Sequence, residues 1–217
     1  MTREERKQML EKKLQDMKAF DLEFGKDGIL AGIDEAGRGP LAGPVVAGCA
    51  VLPKDFDVIG VDDSKKLSEK KREELFNVII EKALAYGVGI VDNKIIDEIN
   101  ILNATKLAMR KAIEQTSAML HEKSGQEINI LLLDAVHLDD VDIPQEGIIK
   151  GDAKSLSIAA ASIIAKVTRD RIMVEYHKEY PYYGFDKNKG YGTKIHYEGL
   201  NFHGITPIHR RTFLKNL

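Results

Sequence analysis

Apolar positions change period several times along the chain. In the first 24 residues Leu10, Leu14 and Met17 recur at helical spacing behind Thr2 and Glu5, a capping-box pair, and the stretch from Gly25 to Gly28 closes the segment. From Ile29 the pattern becomes strand-like. Ile29–Asp34 reads as a strand, a Gly/Pro-rich turn follows, and Val45–Leu52 reads as a second apolar strand. Ser68–Tyr86 predicts a helix with Leu75, Val78, Ile79 and Ala83 on one face, and Gly87–Val91 predicts a strand. Ile95–His121 predicts a helix interrupted near Asn100–Asn103. Ile128–Leu133 is the clearest buried strand, an unbroken apolar run that stops at Asp134. Gly147–Lys150 predicts one more short strand. A long helix is expected over Ser155–Tyr180, where Ala159, Ala160, Ala161 and Ala165 allow close packing and Pro181 forces a stop. The tail reads as a Gly/Tyr-rich loop, Tyr182–Gly192, and shorter helices, one opening with Thr206 as cap and Pro207 as first helical residue.

Early strands, later alternation and a helical tail predict an α/β fold, a mixed sheet flanked by helices. The expected organisation is a helical extension over 1–28 and one domain over 29–217, whose last part, about 182–217, is helical. The length of 217 residues with 43% hydrophobic and 30% charged residues suits one folded domain and excludes a disordered chain. The single cysteine, Cys49, excludes an intrachain disulfide framework and a multi-cysteine zinc site; inside an apolar strand it reads as inert. No apolar run approaches the about 20 residues of a membrane span, and MTREERKQMLEKK has no secretory core, so a cytoplasmic protein without a membrane partner is expected. The net charge of −2 conceals an asymmetry. Lys150–Leu217 holds 12 Lys and Arg against 6 Asp and Glu, a basic third beside an acidic body. That is compatible with a polyanion gripped on one side, though charge alone favours the simpler reading of an ordinary solvated surface.

Carboxylates recur where strands end. Asp34-Glu35 closes the first strand, Asp134 the central one, and Asp152 follows Gly147–Lys150. Acids are depleted in strands, sites of α/β proteins gather at carboxyl ends of strands, and converging carboxylate oxygens suit Mg²⁺ or Mn²⁺. Each acid also has a plain structural reading as a turn or helix cap. Adjacent strand residues point to opposite faces, so Asp34 and Glu35 are expected to converge only if the strand ends or bulges there. Gly37-Arg38-Gly39 opens a Gly/Pro-rich turn in which backbone can approach a ligand beside a fixed cation, or simply make a tight hairpin. No Gly-Lys-Ser/Thr follows it and no G-x-G-x-x-G is present, which excludes a phosphate loop and a dinucleotide fingerprint. Asp62–Ser68 is a polar loop in which Ser68 is a natural helix cap and Ser64, Lys65 and Lys66 are candidate phosphate contacts. Tyr191 lies between glycines in a basic loop, suited to stacking on a base or sugar or to packing within its own domain. Four of the six histidines, His177, His196, His203 and His209, lie in the tail at spacings that match no zinc motif.

Together these segments resemble type 2 ribonuclease H, and within it the bacterial ribonuclease HII branch. The matching stretches are GIDEAGRGPLAGPVVAG (Gly32–Gly48), DDSKKLS (Asp62–Ser68), LLLDAV (Leu131–Val136), KGDAKSLSIAAASIIAKVTRDR (Lys150–Arg171) and NKGYGT (Asn188–Thr193), in the family's order. The resemblance implies a ribonuclease H-like fold with a C-terminal helical subdomain. It implies an endonuclease that cleaves the RNA of RNA–DNA hybrids, and duplex DNA at embedded ribonucleotides, leaving 5′-phosphate and 3′-hydroxyl ends. By motif it places the acidic metal site on Asp34, Glu35, Asp134 and Asp152, with Asp170 as the competing fourth carboxylate. It places a ribonucleotide-sensing Gly-Arg-Gly on Gly37, Arg38 and Gly39 and a sensing tyrosine on Tyr191. Two divalent ions on four carboxylates would activate water, neutralise charge at phosphorus and stabilise the leaving oxygen, with Lys154 adding positive charge. The short N-terminal segment favours HII over the longer ribonuclease HIII, and a monomer is expected. Another metal nuclease of the same fold, and a non-catalytic hybrid-binding module, remain the alternatives.

Overall fold

The computed structural model describes residues 2–26, 28–134 and 136–215, so Ala135 of the LLLDAV stretch and the last two residues of the expected tail lie outside the described residues. Helix α1 spans Arg3–Phe24 and opens with the expected capping box, Thr2 and Glu5 each binding the other's backbone. Strands β1 (Leu30–Ala36) and β2 (Val45–Val51) form an antiparallel pair, followed by a 3-10 turn at Ser64–Lys66, helix α2 (Glu69–Lys82) and strand β3 (Ala85–Val91). Helix α3 (Asn93–Ser124) leads to β4 (Ile130–Asp134) and β5 (Gln145–Ile148). The rest is helical: α4 (Gly151–Lys154), α5 (Leu156–Glu179), α6 (Phe185–Asn188) and α7 (Lys194–His203). Sheet order is β3-β2-β1-β4-β5, with β1, β4 and β5 parallel and β2 and β3 antiparallel additions. The predicted mixed sheet is thus present.

Side-chain alternation builds a core on each face. Ala31, Ile33, Val45, Ala47, Cys49, Leu131 and Leu133 pack with the α3 residues Ala104, Ala108, Met109 and Ala112. The opposite face packs Ala50, Tyr86 and Val88 against α5, with α1 and α2 outside. Two glycines set the close approach: a Cβ on Gly32 would fall 2.1 Å from the Ser157 backbone carbon, and one on Gly89 would fall 1.8 Å from the Ala108 oxygen. Helix α5 is buried nearly all round from Leu156 to Ala165, which explains its run of small and apolar residues. Helix α1 buries Leu14 and Met17 in this second core, and Asp21 Oδ2 accepts from the Ser157 amide (2.9 Å) and hydroxyl (2.8 Å) at the start of α5. No helix among the described residues is long and apolar enough to cross a membrane.

Three expectations are corrected. The helix expected over Ser68–Tyr86 stops at Lys82, where the Ala83 amide closes the last turn onto Ile79 and Leu84 turns to bond Val51. Ala85 and Tyr86 open β3, because the apolar spacing that continues the helical face also suits a strand. Thr206-Pro207 opens no helix; Thr206 instead closes a turn onto His209. The Tyr182–Gly192 loop contains a 3-10 turn at Pro181–Tyr183 and the short α6. By contrast, the interruption expected in α3 is present at Asn100, whose φ is +66°.

Candidate active site

Strands β1 and β4 run parallel only as far as the Ile33–Leu133 pair, whereas β1 stays paired with β2 through Ala36. The sheet therefore opens at the carboxyl ends of its two central strands, where Asp34 and Asp134 lie. Strand β1 neither ends nor bulges at Asp34 and Glu35, which pair in regular register with Gly48 and Ala47 of β2. Burial, then the charges of Glu35 and Asp134, push Asp34 well above the usual carboxylate range. Burial also raises Glu35, against the pull of Arg38 at 3.4 Å and with the push of Asp134. Asp134 Oδ1 accepts from the Gly151 amide at 2.9 Å, tying the end of β4 to the start of α4. On α4, Asp152 is raised by burial and then by Asp63 and Asp134.

Lys65 enters this acid cluster from the 3-10 turn. Partial burial pulls its pKa down, but Asp34, Asp152, Asp63 and Asp134 together hold it above the ordinary lysine value, and its Nζ lies 3.8 Å from Asp152 Oδ2. The donor set suits a hard cation, being all carboxylate, and Glu35 Oε2 is buried with no hydrogen-bond partner among the described residues. No three of the described His, Cys, Asp or Glu side chains close on one point.

The Gly37–Pro44 turn is held from below by two buried arginines. Arg169, 1% exposed, donates to the carbonyls of Pro44 (2.8 Å), Lys189 (2.8 Å) and Ala42 (3.1 Å). Arg210, fully buried, donates to Gly43 (3.0 Å), Arg38 (2.9 Å), Gly37 (2.6 Å) and Pro44 (3.1 Å). Leu41 and Gly190 are joined through backbone at 2.8 Å, which brings Tyr191 alongside: a Cβ on Gly39 would sit 3.5 Å from Tyr191 Cε1. Glu35, Gly37, Arg38, Gly39, Ser64, Lys65 and Tyr191 line one open cleft.

The remaining candidates are placed differently. Ser64, though it borders the cleft, is itself buried, its carbonyl held by Arg72. Lys66 pairs with Asp62 and Asp63 within its own loop, each at 3.8 Å, and does not line the cleft. Lys154 is exposed at the end of α4. Asp170 is paired with Lys166 at 2.7 Å and Arg72 at 3.7 Å, both of which line the cleft, whereas Asp152 is the one raised by the charge of Asp134. Asp63, beside Asp152, escaped notice because its loop had a sufficient explanation as a helix start. Arg169 and Arg210 left no sequence signal, since their partners are distant carbonyls. With Lys189 they are three basic residues of the tail turned inward, so the exposed charge there is smaller than the count suggests.

The model of the ribonuclease HII family matches residues 31–216. The chain belongs to the ribonuclease HII family. It is 54% identical over 208 residues to the ribonuclease HII of Caldanaerobacter subterraneus subsp. tengcongensis, covering 95% of this chain and 83% of that one. It is 58% identical over 188 residues to the ribonuclease HII of Acetivibrio thermocellus, covering 87% and 70%. The crystal structure of the ribonuclease H2 from Pyrococcus horikoshii superposes with a TM-score of 0.64 at 31% identity, covering 87% of this chain and 100% of that one. This ribonuclease HII-family chain is accordingly an enzyme, a metal-dependent hydrolase of the ribonuclease H type.

Proposed function

We propose that this chain hydrolyses the RNA strand of RNA–DNA hybrids and cuts duplex DNA at single embedded ribonucleotides, using Mg²⁺ or Mn²⁺ held by Asp34, Glu35, Asp134 and Asp152. The reading is carried by one juxtaposition. Glu35, which feels the charge of Asp134, and Lys65, whose Nζ lies 3.8 Å from Asp152 Oδ2, line one open cleft with the Gly37–Gly39 backbone and Tyr191. A pair of bound divalent ions would supply charge neutralisation at phosphorus and a more acidic water. The protein's own groups do the rest. Asp134, fixed by the Gly151 amide, and Asp34, curled onto the Glu35 amide at 2.7 Å, present oxygens in set directions. Lys65, kept charged by Asp34 and Asp152, supplies a cation against the phosphate. Attack of water oxygen on phosphorus and departure of the 3′-oxygen leave 5′-phosphate and 3′-hydroxyl ends.

Discrimination of RNA from DNA must use the 2′-hydroxyl, which both donates and accepts. The carbonyls of Gly37 and Arg38 point inward at Arg210, and a planar trans peptide sends the next amide the opposite way. The amides of Arg38 and Gly39 are thereby turned out to meet that hydroxyl, with Tyr191 beside them for the adjoining sugar. The test is cleavage of three duplexes, all-DNA, DNA with one ribonucleotide, and RNA–DNA, with Mg²⁺ and with chelator. Cleavage of the second and third only, and only with metal, supports the proposal; binding without cleavage, or cleavage of the all-DNA duplex, overturns it.

A further inference from the structure

A hydrogen-bond chain of fixed direction ends at Tyr191. The Thr206 amide donates to His209 Nδ1 at 2.9 Å, so the proton of the neutral His209 ring sits on Nε2. His209 Nε2 lies 3.0 Å from His196 Nε2. His196 Nδ1 lies 3.0 Å from the Tyr191 carbonyl oxygen, which can only accept, so His196 carries its proton on Nδ1 and receives the His209 proton on Nε2. The ring–ring and ring–carbonyl links each have one donor and one acceptor, and at His209 Nδ1 the Thr206 hydroxyl, 2.8 Å away, joins the amide as a second donor. Turning either ring over places a lone pair against an oxygen or leaves a donor facing a donor. Both rings are buried, at 0% and 2% exposure, so water does not replace a lost link, and burial lowers the pKa of both, keeping them neutral.

The same strap reaches the other half of the cleft. Arg210, the next residue, holds the Gly37 and Arg38 carbonyls. Its own amide bonds Leu41, and the Gly43 amide bonds Ile208. Asn93 Nδ2 anchors the strap to α3 through the carbonyls of Pro207 (2.9 Å) and His209 (3.0 Å).

We infer that His196 and His209 are positioning residues for ribonucleotide recognition: through the Tyr191 carbonyl they set that residue against Gly39, while the adjoining Arg210 sets the Gly37–Gly39 amides, so that one strap keeps both halves of the sensor in register. This rests on the recognition role proposed for Tyr191 and Gly37–Gly39.

The experiment is a double-mutant cycle read by single-turnover cleavage. His196→Phe, which keeps a ring but no hydrogen bond, and His196→Asn, whose amide stands where Nδ1–H stood, are each made with Tyr191 and with Tyr191→Ala. Substrates are a DNA duplex carrying one ribonucleotide and an RNA–DNA hybrid. His196→Phe is expected to slow cleavage at the lone ribonucleotide about 10-fold, and the hybrid less, with no more than about 2-fold added once Tyr191 is alanine. His196→Asn should restore most of the rate. An equal loss with and without the Tyr191 ring, or an equal loss on both substrates, overturns the inference. If His196→Phe fails to fold, the asparagine variant decides, since a 10-fold loss there also overturns it. Tyr191→Ala cleaving both substrates at the wild-type rate removes the inference yet leaves the proposed hydrolysis standing, whereas a wild-type protein that cuts neither substrate removes the proposed function itself.

Discussion

Gly37 and Arg169 are in a contact that no side chain at position 37 could share. Gly37 has a φ of +95°, and a Cβ there would fall 2.0 Å from Arg169 Nε. Gly39, two residues on, would present a Cβ only 3.5 Å from Tyr191 Cε1, an ordinary contact. The two glycines therefore serve different ends. Gly37→Ala is expected to destabilise the protein by at least about 2 kcal/mol, through backbone strain and displacement of a buried arginine. Gly39→Ala should leave the unfolding midpoint within about 0.5 kcal/mol of wild type while slowing cleavage at a lone ribonucleotide about 10-fold or more, because its methyl stands where the sugar must approach. Urea unfolding beside single-turnover cleavage separates the two; equal destabilisation by both would contradict this division.

Arg210 satisfies four carbonyls with a buried guanidinium, and burial lowers its pKa to about 9. Arg210→Met keeps much of the volume and removes every donor. The freed carbonyls and the loss of the tie between tail and turn should cost at least about 2 kcal/mol. An unfolding midpoint unchanged from wild type would show that the turn holds itself.

Local features of this chain were legible because their physics is local. The Thr2–Glu5 capping box, the Ser68 cap, the Pro181 stop and the apolar run ending at Asp134 each need only a few neighbouring residues. The placing of acids at strand ends also singled out Asp34, Asp134 and Asp152. What joins Gly37 to Arg210, or Tyr191 through His196 to His209, is contact between side chains and backbone brought together only by the finished fold, and no periodicity encodes it. The Thr206-Pro207 reading failed for the same reason: Thr206 is a good cap in isolation, but the Arg210 amide, which would close the first helical turn onto Thr206, donates to the distant Leu41 carbonyl instead.

Clustered acids cost stability at neutral pH. Asp34, Glu35 and Asp152 all have folded-state pKa values raised above their ordinary values. A raised carboxyl binds more protons folded than unfolded. Its stabilising share is complete below the unfolded pKa and is lost as pH rises through the folded value. Metal-free Asp34→Asn should therefore melt higher than wild type at neutral pH, and this gain should shrink as pH falls toward 4. Mg²⁺ should raise the wild-type melting temperature and raise that of Asp34→Asn less. A scan in which Asp34→Asn melts lower than wild type at neutral pH without metal rejects the repulsion.

The buried histidine strap imposes the opposite slope. Burial depresses His209 from 6.5 to about 4, so the unfolded chain takes up a proton that the folded protein refuses. This contribution is intact above pH 6.5 and is lost as pH falls toward about 4, roughly 3 kcal/mol in all. Stability of wild type measured against His209→Gln between pH 7 and 4 should converge as the wild type loses its share. Parallel curves would mean that His209 titrates normally.

The most direct test of the whole account is the metal-dependent cleavage of a DNA duplex carrying one ribonucleotide, by wild type and by Asp134→Asn. Wild type should cut that duplex beside the ribonucleotide with Mg²⁺ or Mn²⁺, leaving 5′-phosphate and 3′-hydroxyl ends, and should stop when chelator is added. Asp134→Asn should keep its fold and still bind the duplex, with turnover lost. Cleavage by wild type in excess chelator, or wild-type turnover by Asp134→Asn, would show that the carboxylates at the open end of the sheet are not the centre of the reaction.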